Sequence, residues 1–127
     1  MKKHSVTINK ITCNSASEIG HDEVYLKYQS DAGVTFRVPK NRDDSESMKS
    51  GNTWVPVLLD PNGSQIPLTI YFDYEALVTL WDKDETNLYI NDTYLQSYDF
   101  RPGSGSGQVR LSNLNGQNYS IEYTYNK

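Results

Sequence analysis

The chain has 127 residues, of which 36% are hydrophobic and 22% charged, and its net charge is −4. That length suits one domain around a single core. The acidic balance argues against nucleic-acid binding, which usually needs a basic face, and is compatible with a site for a hard cation.

Read in chain order, the sequence has a period of two and no long helical period. The start, MKKHSVTINK, lacks the apolar run of a secretory signal peptide. No apolar stretch approaches the ~20 residues needed to cross a bilayer, so a soluble chain is expected. Val6 and Ile8 begin a strand whose parity shifts before Ile11, which predicts a bulge or a strand serving both faces. Cys13 is the single cysteine. It excludes an internal disulfide and an all-cysteine zinc site, and reads as a buried structural thiol.

An acidic loop, Glu18 to Glu23, leads into a strand marked by Val24, Leu26 and Tyr28. After the turn Asp31-Ala32-Gly33, Val34, Phe36 and Val38 mark another strand. Lys40 to Gly51 is polar and without period, as expected of a loop. Trp54 to Leu59 reads as a strand that Pro56 pushes to an edge or a bulge. Asp60-Pro61-Asn62-Gly63 is a strong turn signal. Ile66, Leu68, Ile70 and Phe72 follow, then Val78 and Leu80. Gly103 to Gly107 predicts a plain hairpin connection. Val109 and Leu111, the turn Asn115-Gly116, and Tyr119, Ile121, Tyr123 and Tyr125 close the chain. The expectation is an all-β protein, one antiparallel β-sandwich of eight or nine strands over residues 1–127.

The chemistry gathers in Leu80 to Leu95, LWDKDETNLYINDTYL. If Val78 and Leu80 face the core, Asp82 and Asp84 continue the same side past the strand end. Two such carboxylates repel unless something positive lies between them. The loop can fold back to deliver Asp92, and Asn91 adds an amide oxygen. Oxygen ligands without His or Cys suit calcium better than zinc or copper. Asp22, just before the strand at Val24, lies at a sheet rim as well.

These segments resemble the C2 domain family. Its first loop runs into a strand in a pattern matched here by His21-Asp22-Glu23-Val24-Tyr25-Leu26-Lys27. Its third loop is matched by Leu80-Trp81-Asp82-Lys83-Asp84 and, after a gap, by Asn91-Asp92-Thr93-Tyr94-Leu95. The resemblance implies a sandwich that binds calcium between loops at one end. Asp22, Asp82, Asp84 and Asp92 carry over as ligands. The family's earlier first-loop aspartate falls near Ala16, for which Glu18 or a backbone carbonyl is the candidate substitute. Leu95 stands where the family ends the motif with glycine. In this frame Leu88, Tyr89 and Ile90 form the loop tip, poised for a lipid interface once calcium neutralises the rim. The rival expectation is that the triplet folds back on the sandwich.

The leading expectation is therefore a non-catalytic calcium-binding module with a phospholipid surface as partner. The alternative is a calcium-independent sandwich that binds carbohydrate or protein through its Tyr and Trp residues, or that serves as an accessory part of a toxin or larger assembly. An enzyme is not expected. His4 and His21 are far apart in sequence, and the Gly103 to Gly107 run lacks the G-x-S-x-G order. His21 reads as an ordinary loop residue.

Overall fold

The computed structural model describes residues 2–17, 21–83 and 92–126. The described residues form strands and connections only, in two antiparallel sheets. Alternating burial of one strand face is what the period of two dictates.

The first sheet has the order β10-β11-β1-β7-β6, with β5 paired to β1. Its strands are β1 (His4–Ser15), β5 (Thr53–Trp54), β6 (Val57–Leu59), β7 (Gln65–Phe72), β10 (Ser106–Ser112) and β11 (Asn118–Asn126). The second sheet has the order β3-β2-β8-β9, with β4 paired to β2. It comprises β2 (Asp22–Ser30), β3 (Phe36–Val38), β4 (Glu46–Met48), β8 (Ala76–Asp82) and β9 (Thr93–Phe100). Ile8, Ile11, Ile70, Phe72, Tyr119 and Ile121 from the first sheet meet Leu26, Val78, Leu80 and Phe100 from the second in one buried core.

Several sequence expectations hold. The β1–β11 register shifts between Ile8 and Lys10, where the parity changes. Cys13 is buried and free, and burial raises its thiol pKa. Pro56 splits its segment into β5 and the edge strand β6. In the β6–β7 turn Gly63 takes φ +83°, and Asp60 Oδ1 accepts from the backbone amides of Asn62 and Ser64, both at 2.9 Å.

Others are corrected. The described strands number eleven rather than eight or nine, because β3 to β6 are two- or three-residue pieces. Lys40 to Gly51 is not all loop: it carries β4, whose Met48 is fully buried opposite Asp22. The Gly103 to Gly107 run is not a hairpin. β9 lies in one sheet and β10 in the other, so the connection crosses the sandwich. There Tyr125 N donates to Gly105 O at 2.8 Å, and a Cβ on Gly107 would meet the Tyr123 hydroxyl at 2.5 Å. Small residues are needed where the backbone passes so close to those rings. Val34 and Phe36 alternate like core residues but are 72% and 54% exposed, at the edge of the second sheet.

Strand direction sorts the connections into two ends. The β1–β2, β4–β5, β8–β9 and β10–β11 connections gather at one, here the loop end. The β2–β3, β7–β8 and β9–β10 connections gather at the other, here the far end.

Candidate functional site at the loop end

Asp22, Val24 and Leu26 point inward from β2, as do Val78, Leu80 and Asp82 from β8. The register pairs Val24 with Asp82. Asp22, two residues before Val24, is therefore the diagonal neighbour of Asp82 on the same face. Sheet geometry alone thus brings the two expected carboxylates together.

Neutral donors hold them. Asp22 is 1% exposed. Its Oδ1 accepts from Ser17 N at 3.1 Å and from Gln117 Nε2 at 3.0 Å, and its Oδ2 accepts a very short hydrogen bond from the Tyr119 hydroxyl. Asp82 Oδ1 accepts from Glu23 N at 2.9 Å, and Oδ2 accepts from the same Gln117 Nε2 at 3.1 Å. One amide nitrogen therefore bridges the pair. Gln117 is itself only 3% exposed, and its Oε1 accepts from Asn113 Nδ2 at 2.9 Å. Tyr119 belongs to β11, so Asp22 ties the two sheets together at this end.

The electrostatics follow. Burial raises the Asp82 pKa to about 6; the neighbouring Asp22 adds to the rise, and the Glu23 amide and Gln117 oppose it. Burial, and donation to Asp22, raise the Tyr119 phenol far above its usual range.

Asp92 is placed elsewhere. Tyr25 alternates with Val24 and Leu26 and so turns to the outer face of its sheet, as does its register partner Trp81. The two rings stack with centroids 6.3 Å apart. The Tyr25 hydroxyl donates to Asp92 Oδ2 at 2.5 Å, so that carboxylate is engaged across the sheet from the Asp22–Asp82 pair. The Arg37 guanidinium lies 4.0 Å from the Tyr25 ring and donates to the carbonyls of Pro39, Asn41, Arg42 and Asp44. His21 Nε2 lies 3.3 Å from Glu23 Oε1. Glu18, Asp84, Asn91 and the triplet Leu88, Tyr89 and Ile90 lie outside the described residues.

Gln117 and Tyr119 escaped the sequence reading as site residues, yet one signal points to them. Gln117, Tyr119 and Ile121 share parity, so Gln117 extends the inward row of β11 past its start. Asp82 extends the inward row of β8 by the same rule.

No protein-family model matches the chain, and no curated protein does. Solved structures do match, at identities that carry the fold alone. A structure of a C2 domain has 9% identity and a TM-score of 0.55, covering 100% of both chains. A structure of CC2D1B, described as coordinating ESCRT-III activity in reformation of the nuclear envelope, has 5% identity and a TM-score of 0.55. That match covers 98% of this chain and 54% of the other. A C2 domain of plant extended synaptotagmin 1 has 6% identity and a TM-score of 0.50, covering 96% of this chain and 92% of that one. The chain has a C2-like fold, an all-β sandwich.

The fold raises the question of calcium, which takes six to eight oxygen ligands. Among the described residues no group of three or more His, Cys, Asp or Glu side chains is placed to hold a metal. The two carboxylates that do converge have the Gln117 amide between them, and Asp92 sits on the outer face. The described donor set does not fit a calcium ion.

Proposed function

We propose that the chain is a non-catalytic module that docks on a phospholipid surface with its loop end. The observation that carries this reading is Leu114, fully exposed at the tip of the β10–β11 hairpin. The tip belongs to the end of the sandwich that holds Asp22 and Asp82. A lone exposed leucine is common. One at a hairpin tip, carried on a rigidly bonded turn, is shaped to enter an interface. Asn113 supplies that rigidity: its Oδ1 accepts from Asn115 N at 3.0 Å and Gln117 N at 3.1 Å. Lys49 and Lys83 belong to neighbouring connections at the same end and complement an anionic headgroup layer. The C2-like fold supports the reading, since the matched structures include a synaptotagmin-type C2 domain.

Calcium is the finer form of this proposal. It requires the Gln117 amide to leave the Asp22–Asp82 gap and ligands to come from residues 84–91. The test is co-sedimentation with anionic vesicles in EDTA and in calcium. Wild type is expected to pellet with vesicles, and Leu114→Asp to stay in the supernatant at unchanged melting temperature. Equal pelleting of the two proteins contradicts the reading. Pelleting that depends on calcium selects the finer form.

A second reading rests on a groove of about 580 Å³ between β9 and the β10–β11 hairpin. Tyr94, Gln96, Ser112, Asn113 and Asn115 line it, and none carries a charge. Tyr94 is 46% exposed, and its hydroxyl is fixed by Gln96 and Ser97. An aromatic ring beside amides and a hydroxyl suits a neutral sugar. Glycan-array binding lost in Tyr94→Ala supports this reading; silence of the wild type on the array removes it.

A further inference from the structure

Gln117 does more than cap a strand. Its side-chain nitrogen lies at hydrogen-bond distance from one oxygen of each carboxylate, 3.0 Å from Asp22 and 3.1 Å from Asp82. A bridging position between paired carboxylates is where a cation would have to sit to relieve their repulsion. An amide carries two N–H donors and no net charge, so it can serve both oxygens at once.

The amide is also held in place. Asn113 Nδ2 donates to its oxygen, and the flanking backbone is pinned by Asn113 N to Gln117 O at 3.1 Å and by Gln117 N to Asn113 Oδ1 at 3.1 Å. Gly116, at φ +84°, makes the tight reversal that delivers Gln117 to the start of β11. The two remaining carboxylate oxygens are taken by Glu23 N and the Tyr119 hydroxyl, and Ser17 N adds a second donor to Asp22 Oδ1. Every carboxylate oxygen of the pair thus has a protein donor.

We infer that Gln117 is a built-in replacement for a bridging cation, so that the loop end is closed by the chain's own amide and its fold is independent of divalent metal. A metal ion that entered would have to expel a buried, doubly donating amide and break the Asn113 contact with it. The β10–β11 hairpin that carries Leu114 is thereby locked to both sheets without a metal.

This inference stands apart from surface docking, because it concerns how the end is closed and not what the end touches. The experiment is a set of thermal melts at pH 7 in EDTA and in millimolar calcium chloride, on the wild type, Gln117→Glu and Gln117→Ala. The wild type is expected to melt at the same temperature in both. Gln117→Glu places a third carboxylate in the gap. It is expected to melt several degrees lower in EDTA and to recover most of that loss in calcium, with magnesium less effective. Gln117→Ala keeps the test alive if the glutamate variant does not fold. It is expected to melt lower than wild type in EDTA and to gain a calcium response that wild type lacks. A calcium-dependent rise of several degrees in the wild type overturns the inference, as does a Gln117→Ala protein with an unchanged midpoint. Vesicle co-sedimentation of the same wild-type samples reports docking separately.

Discussion

The two ends of the sandwich solve one problem in opposite ways. At the far end, Asp31 closes the β2–β3 connection. Its carboxylate accepts from three successive backbone amides, Asp73 at 3.0 Å, Tyr74 at 2.6 Å and Glu75 at 3.1 Å, and from Lys2 Nζ at 2.6 Å. The residue and its neighbour Ala32 adopt left-handed φ values of 51° and 58° to make this reach. A cation and fixed amides favour the charged form, so the Asp31 pKa lies far below the usual carboxylate range, first through the Lys2 hydrogen bond. At the loop end two carboxylates share neutral donors in a buried setting, and the Asp82 pKa rises to about 6. One fold thus holds an aspartate that clings to its charge and another that resists it. At the far end the cation decides; at the loop end burial decides first, and the second carboxylate adds to it while the amide opposes it.

Mutations separate the ends most sharply at Asp22. Asp22→Ala leaves the Tyr119 hydroxyl and Ser17 N without their carboxylate acceptor, and leaves the Gln117 amide nitrogen with Asp82 alone. Buried donors left unpaired cost about 2–3 kcal/mol, roughly 8–11 °C in Tm for a chain of this size; urea and thermal melts measure it. Tyr119→Phe removes one donor to a buried carboxylate and is expected to cost about 1.5 kcal/mol. Asp31→Asn keeps an acceptor but loses the charge beside Lys2. It is expected to lower the midpoint by less than Asp22→Ala and to remove the acid sensitivity described next.

The pH dependence carries opposite signs at the two ends. Asp82 has a folded pKa of about 6 against an ordinary value of 3.8. The folded state binds this proton more tightly than the unfolded chain, so the stabilisation is complete below 3.8 and is lost as pH rises through about 6. Solvent screens this part-exposed carboxyl, and the expected effect between pH 7 and pH 4.5 is held to about 1 kcal/mol. Asp31 has its pKa lowered, so its contribution is present above 3.8 and is lost as pH falls below that value. Melting temperature is therefore expected to rise on acidification from neutral and then to fall in stronger acid. Asp82→Asn should flatten the first limb and Asp31→Asn the second. Leu114→Asp, smallest in effect, should leave the whole profile unchanged.

The sequence makes the parity rule visible, and that rule explains what is legible. Val78, Leu80 and Asp82 share a face, so the placement of Asp82 at the inner rim follows from alternation alone. Asp22 follows in the same way from Val24 and Leu26. The rule, applied to Tyr119 and Ile121, reaches Gln117 too, but a glutamine after Asn-Gly reads first as turn chemistry. Met48 is hidden because β4 spans three residues inside a charged segment, too short for a period to show. The crossover at Gly103 to Gly107 looks like a hairpin because sequence adjacency says nothing about which sheet the next strand joins. Asp31 is least legible of all: its partners Lys2 and Asp73 to Glu75 are distant in sequence, and only the packed sandwich brings them together.

The contrast between the ends is tested most directly by carbon-13 NMR titration of the aspartate carboxyl groups. One resonance, absent in Asp82→Asn, is expected to titrate near pH 6, while that of Asp31 remains ionised well below the ordinary value of 3.8. If every described aspartate titrates at or below 3.8, the loop end does not hold its carboxylates as a buried, amide-bridged pair, and the account of that end fails.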